Sequence, residues 1–157
     1  MLASCEGMAA GGETLPAPPF EKYGVSLTFQ GKPAAVDLTT DKKAPRFRTV
    51  LREGAADGPN FADHYTVVTW GCGAGCQSHA IVDAVSGRVF MVPFTTGNGL
   101  AFRRESRLLV ADPAEQCADP QLLGPDVSTW FEWDGRTLVR IGSFHIVAPC
   151  GPLPNPT

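Results

Sequence analysis

Two cysteines and a histidine stand in a run of glycines near the middle of this chain: Gly71-Cys72-Gly73-Ala74-Gly75-Cys76-Gln77-Ser78-His79. Four kinds of chemistry fit these residue types. Cys72 and Cys76 can close a short disulfide loop, which gains little unfolded-state entropy and serves to hold a local shape. As free thiols they would form a redox or nucleophilic pair, although the usual dithiol has two residues between its cysteines and this segment has three. His79 would activate Cys76 if the fold brought them together. Cys72, Cys76 and His79 would also supply three ligands to a catalytic zinc with an open position, and Cys117, Cys150 or His64 would have to complete a closed structural site. Finally, glycine N–H groups can converge into an anion nest, a reading that overlaps with the disulfide-closed turn. We adopt the disulfide-closed turn. It presents Gly73, Ala74, Gly75 and Gln77 for binding, and no catalytic residue, metal or cofactor is assigned; the thiol or metal site on Cys72, Cys76 and His79 is the alternative.

The remaining cysteines divide by position. Cys117 and Cys150 lie in the body with the first two, an even number, and two bridges among four cysteines allow three connectivities. The pairing expected is Cys72–Cys76 and Cys117–Cys150, the second pinning the C-terminal tail to the Cys117 loop. Leu2-Ala3-Ser4-Cys5 reads as the end of a bacterial lipoprotein signal, which makes Cys5 the lipidation site.

The other candidate groups have plainer readings. His64 opens a strand beside Tyr65 and reads as a hydrogen-bonded edge residue. His145, in an apolar run, reads as a strand residue facing away from Phe144 and Ile146. Asp63, Asp83 and Glu132 follow strand edges, and no carboxylate pair has a spacing that demands acid–base work. Phosphate-loop, dinucleotide, calcium-loop and nucleophile-elbow motifs are missing. Alternation along Trp130-Phe131-Glu132-Trp133 sends Trp130 and Glu132 one way and Phe131 and Trp133 the other. With Trp70 these aromatics read as core, and an exposed one would be a hot spot for a protein partner.

The elements that must position the glycine–cysteine segment are mostly strands. Order is expected from Phe20. Tyr23 to Phe29 reads as a strand broken by Gly31 and Pro33. Val36 to Thr40 leads to a helix capped by Asp41, with Ala44, Phe47, Val50, Leu51 and Ala55 at helical spacing, ending at Asp57-Gly58-Pro59. Its basic wet face of Lys42, Lys43, Arg46, Arg48 and Arg52 reads as solvated. Strands follow at His64 to Trp70, at Ala80 to Ala84 and at Arg88 to Val92, the last two joined by Val85-Ser86-Gly87. Ala101 to Arg104, Leu108 to Ala111, Thr129 to Trp133, Thr137 to Ile141 and Phe144 to Ala148 complete the series, with a hairpin at Asp134-Gly135. The long loops, near 93–100 and 112–128, are natural places for binding.

The fold class expected is α+β, mostly β: a single domain of short antiparallel strands, meander or propeller-like, with one helix near the N-terminus. Residues 1–19 form a disordered leader-like tail, 20–150 the domain and 151–157 a second tail. The length of 157 residues suits one domain with a real core, and 18% charged residues is low for a globular surface. A net charge of −3 disfavours general nucleic-acid binding. No apolar run reaches the roughly 18 residues of a membrane-spanning helix.

Gly58-Pro59-Asn60-Phe61-Ala62, the run His64 to Gly73 and Cys76-Gln77 carry a resemblance. So do Ile81-Val82-Asp83-Ala84 with Gly87, Ser106 to Val110 and the Trp133 to Ile141 hairpin. Over most of residues 30–141 the chain resembles a family of uncharacterised exported Gram-negative bacterial proteins, periplasmic or lipoprotein-like, with a Gly-Cys-Gly-x-x-Cys-Gln loop. The resemblance implies a periplasmic or outer-membrane location and carries over no catalytic residue. By class and compartment alone, small disulfide-bonded periplasmic β proteins include inhibitors of lysozyme and immunity proteins against cell-wall hydrolases. The function expected is therefore a non-enzymatic envelope protein that binds another protein through its loops, with a lipid anchor at Cys5. A thiol- or metal-dependent enzyme and a self-assembling structural component of the envelope are the alternatives.

Overall fold

A computed structural model describes residues 19–113 and 127–145, the last two by backbone alone. Alternating and β-branched runs build two open sheets. β1 (Tyr65–Gly73), β2 (Cys76–Asp83) and β3 (Val89–Met91) pair antiparallel in chain order. β4 (Leu100–Phe102), β5 (Leu108–Ala111), β6 (Val127–Trp133) and β7 (Leu138–His145) do the same. Each sheet is thus a meander, and among the described residues neither closes into a barrel nor into a ring of propeller blades.

The one α-helix, α1 (Arg48–Ala56), lies against the first sheet. Its Leu51 and Ala55 pack with Val68, Ala80, Val82 and Val89. The opposite face of the same sheet gives Val67 and Ile81 to a second cluster with Phe61, Leu109 and Trp133, which joins the two sheets. Neighbouring residues (Val67 and Val68, Ile81 and Val82) enter different cores because successive side chains of a strand point to opposite faces. Gly54 lets α1 come close: a Cβ there would sit 2.7 Å from a Val68 methyl.

The expected helix is present, but its entry differs. A 3-10 turn at Ala44–Phe47, with Pro45 at its start, precedes α1, and the N-cap of α1 is Phe47 without a side-chain bond. Asp41 therefore does not cap α1. Its carboxylate accepts the Lys43 N–H at 2.8 Å and the Met91 N–H at 3.2 Å, which ties this entry to the edge of β3.

Tyr23 to Phe29 is not a strand. After a 3-10 turn at Phe20–Tyr23 the chain runs extended, with one bridge from Gly24 to Ser106. Side chains replace the ladder: Asp63 accepts from the Thr28 N–H (2.7 Å), the Thr28 hydroxyl (2.7 Å) and the Phe29 N–H (3.1 Å), and Arg104 donates to the Phe29 carbonyl (3.1 Å). Burial raises the pKa of Asp63, but these bonds and one from His64 outweigh it and leave the carboxyl at about 2.

The turn after β2 forms as expected, with Asp83 accepting from Val85 N–H and Ser86 Oγ, and Gly87 left-handed at φ 78°. The β6–β7 turn is longer than the two residues expected. Trp133 pairs with Leu138, and the Asp134 carboxylate draws in the N–H groups of Arg136 and Thr137, both at 2.8 Å. β7 then runs unbroken to His145, with Ile141 out of register between Arg140 and Gly142, so the two strands expected at 137–141 and 144–148 are one over its described length. The expected tails, the lipidation site Cys5, the Cys117–Cys150 bridge and residues 146–148 lie outside the described residues.

Candidate functional site: the disulfide-closed hairpin tip

The glycine–cysteine segment is the tip of the β1–β2 hairpin. Strand pairing continues to Gly71 opposite Gln77 and Gly73 opposite Cys76, which leaves Ala74 and Gly75 as the turn. Cys72 falls at a bulge, since the register shifts between Gly71 and Gly73. The extra residue brings it to Cys76, and the two form a disulfide with Cα atoms 5.1 Å apart.

The turn explains the crosslink. Only the second central residue, Gly75, is left-handed, at φ 61°, and Ala74 is not. The turn that matches strand twist, type I′, needs both central residues left-handed; the alternative splays the strands. A covalent bond between Cys72 and Cys76 holds the two strands paired up to this turn. Residues 71–75 are all exposed, so the bond does this work without a core beneath it.

His79, three residues into β2, is only 1% exposed. Its Nδ1 lies 2.8 Å from the Thr69 hydroxyl and its Nε2 lies 2.8 Å from the Thr96 hydroxyl. Burial lowers its pKa to about 4, so the ring is neutral at pH 7 and bridges β1 to the loop after β3. Thr96 also exchanges backbone bonds with Gln77 at 2.8 and 3.0 Å. The far side of that loop is pinned by Asp112, which accepts the Gly97 N–H (2.8 Å) and the Asn98 N–H (2.7 Å). Burial raises the pKa of Asp112 against these bonds.

Between tip and loop lies an open cleft of about 420 Å³, walled by Trp70, Gly71, Gly73, Gln77 and Gly97. Trp70 is half-buried and is braced by Phe47, ring to ring at 4.8 Å. The cleft offers main-chain groups, one aromatic face and one amide side chain. Of the residues expected to bind, Gly73, Gly75 and Gln77 line this cleft, and Ala74 lies in the turn outside its lining. It does not gather Cys72, Cys76 and His79 as a reactive set: the sulfurs bond each other, and both histidine nitrogens face threonines. Among the described residues no group of three His, Cys, Asp or Glu side chains is placed to hold a metal.

Trp70 was read as core and not as part of this site. Thr96 and Gly97 lie in the loop near 93–100 expected to bind, but its pairing with Gln77 is announced by no local pattern. Elsewhere, His64 stands between Asp63 (3.5 Å) and Asp83 (3.7 Å) with its ring on Tyr65. Trp133 is buried, while Trp130 and Phe131 are half-buried, and Phe131 stacks on Phe94. Lys42, Lys43, Arg46, Arg48 and Arg52 are exposed and make no ion pair among the described residues. No family model matches the chain, and no curated protein or solved structure matches it either.

Proposed function

We propose that this is a non-enzymatic binding protein of the bacterial envelope, periplasmic or anchored at the outer membrane through Cys5, which engages another protein with its disulfide-closed hairpin tip. Acting on a cell-wall hydrolase, as inhibitor or immunity protein, is the role that best fits such a tip. One observation carries the reading: residues 71–75 are exposed to solvent yet locked by the Cys72–Cys76 bond. A protruding loop ordered before contact loses little freedom on docking, which is where much of the cost of association otherwise lies. Trp70, braced beside the tip, is the aromatic anchor that such an interface needs. A disulfide is also at home in an oxidising compartment, in keeping with the exported location.

The test is inhibition of cell-wall lysis by lysozyme, an amidase and an endopeptidase. The protein is expected to slow at least one of them. Cys72→Ser with Cys76→Ser should weaken that effect by about tenfold, with the core intact, because the tip is then ordered only on binding. Equal potency of the double variant would remove the tip from the interface. Failure of the unaltered protein against all three hydrolases would remove the inhibitor role.

A further inference from the structure

The far end of β1 holds a second concavity that the tip does not use. Tyr65 and Gly73 terminate the same nine-residue strand, so the two places are roughly 25 Å apart at 3.3 Å per residue. This cleft is about 270 Å³ and is walled by Val25, Ser26, Tyr65, Arg107, Trp133 and Gly135, with His64 at its rim. Two consecutive non-glycine residues, Ala62 (φ 44°) and Asp63 (φ 73°), adopt left-handed backbone to turn the chain into it. Such conformations persist only where surrounding structure fixes them, and here Ser106 and Arg104 carbonyls accept the two N–H groups.

The hydrogen-bond accounts of the cleft are unequal. Its two carboxylates are already engaged, Asp63 by Thr28 and Phe29 and Asp134 by Arg136 and Thr137, and nearby Asp83 is held by Val85 and Ser86. Arg107 pairs with Glu132 at 3.2 Å. Trp133 is 3% exposed, and its indole N–H is the one buried side-chain polar atom among the described residues without a hydrogen-bond partner. It faces the Tyr65 hydroxyl without the geometry of a bond, the two rings meeting edge to face at 5.2 Å. Burial holds the Tyr65 pKa above its ordinary value, against the opposing pull of the Trp133 N–H and with the charges of Asp83 and Asp134 adding to it, so the phenol keeps its proton and remains a donor. The Tyr65 hydroxyl thus has no acceptor for its own proton, and the indole N–H beside it has only the weak pull of the Tyr65 oxygen.

We propose that this cleft binds the carbonyl of a neutral amide, with Trp133 Nε1–H and Tyr65 Oη–H as its two donors and Val25 with the indole as its apolar wall. A carbonyl oxygen has two lone pairs and can accept from both. The surrounding carboxylates disfavour an anion in the same place. The size suits a single acetamido sugar or a single peptide unit, small for a ligand pocket. The site is independent of the tip and of the role proposed for it.

The test is a titration followed by the Trp133 indole resonance in ¹H–¹⁵N spectra, assigned by elimination with Trp70→Phe and Trp130→Phe so that Trp133 stays in place. The probes are N-acetylglucosamine, N-acetylalanine methylamide and, as a control without an amide, glucose. A saturable shift of the Trp133 signal with either amide, weakened at least tenfold by Tyr65→Phe, supports the proposal. A response to the sugar alone identifies a saccharide source, and a response to the peptide alone identifies a peptide source. No saturable shift with either amide beyond the millimolar range, an equal shift with glucose, or binding unchanged in Tyr65→Phe overturns it.

Discussion

A neutral imidazole held between two threonine hydroxyls makes the stability of this protein sensitive to acid. His79 has a pKa near 4 when folded and an ordinary value near 6.5 when unfolded. Between those values the unfolded chain binds the extra proton, so stability rises with pH across that window and is lost as pH falls through it. Stability should therefore drop by up to a few kcal/mol between about pH 6.5 and pH 4. His79→Gln, which keeps a donor and an acceptor without a titrating group, should flatten that stretch in melting curves. A slope unchanged by the substitution would assign the acid sensitivity elsewhere. Asp63 acts lower: its folded pKa of about 2 against 3.8 contributes stability that is lost only as pH falls through that range. The disulfide was legible from the spacing of Cys72 and Cys76. The setting of His79 was only half legible, since Thr69 faces it across the hairpin but Thr96 is 17 residues away.

At the scale of elements, α1 sits close enough to β1 that one missing methyl group matters. By helix propensity alone Gly54→Ala would stabilise by about 1 kcal/mol. The new Cβ would meet the two Val68 methyls at 2.7 and 2.8 Å, and a β-branched side chain on a strand has little freedom to yield. Overpacking should win, with a net loss of about 1–3 kcal/mol in denaturant unfolding. In a Val68→Ala background the same change should become neutral or stabilising; a loss that persists there would refute the clash. Most strands were legible because β-branched and aromatic residues alternate between turn signals. Tyr23 to Phe29 has the same composition yet is a strap, because its partners are the Asp63 carboxylate and the Arg104 guanidinium instead of a neighbouring strand. Composition cannot tell a chain bonded by a ladder from one bonded by side chains. The Asp134-Gly135 turn lengthened for a similar reason, since the aspartate captures two further N–H groups.

For the whole molecule, the first sheet belongs to two cores at once. α1 seals one face and the second sheet seals the other, so neither side can come away without exposing the shared strands. Unfolding should therefore be a single cooperative transition by every probe. Leu51→Ala, on the helix side, and Leu109→Ala, on the sheet side, should each lower that one transition by about 2–5 kcal/mol. Two separable transitions, one moved by each substitution, would show that the layers melt independently. A single, mostly β domain was legible from length and turn-rich composition. The layering was not: Val67-Val68 and Ala80-Ile81-Val82 read simply as apolar runs, and such runs do not say what covers each face.

The hairpin tip is written almost wholly in main chain, and this governs how it can evolve. Residues 71–75 hold three glycines, one alanine and a cysteine that is already bonded. Gly73 at φ 133° and Gly75 at φ 61° forbid most replacements through backbone strain, whereas exposed Ala74 meets no such limit. A partner that reads this surface reads peptide groups, which point mutation cannot restyle. Divergence of specificity between descendants of this protein would fall instead on Ala74 and on Trp70 and Gln77 beside the tip, while Gly73 and Gly75 stay fixed.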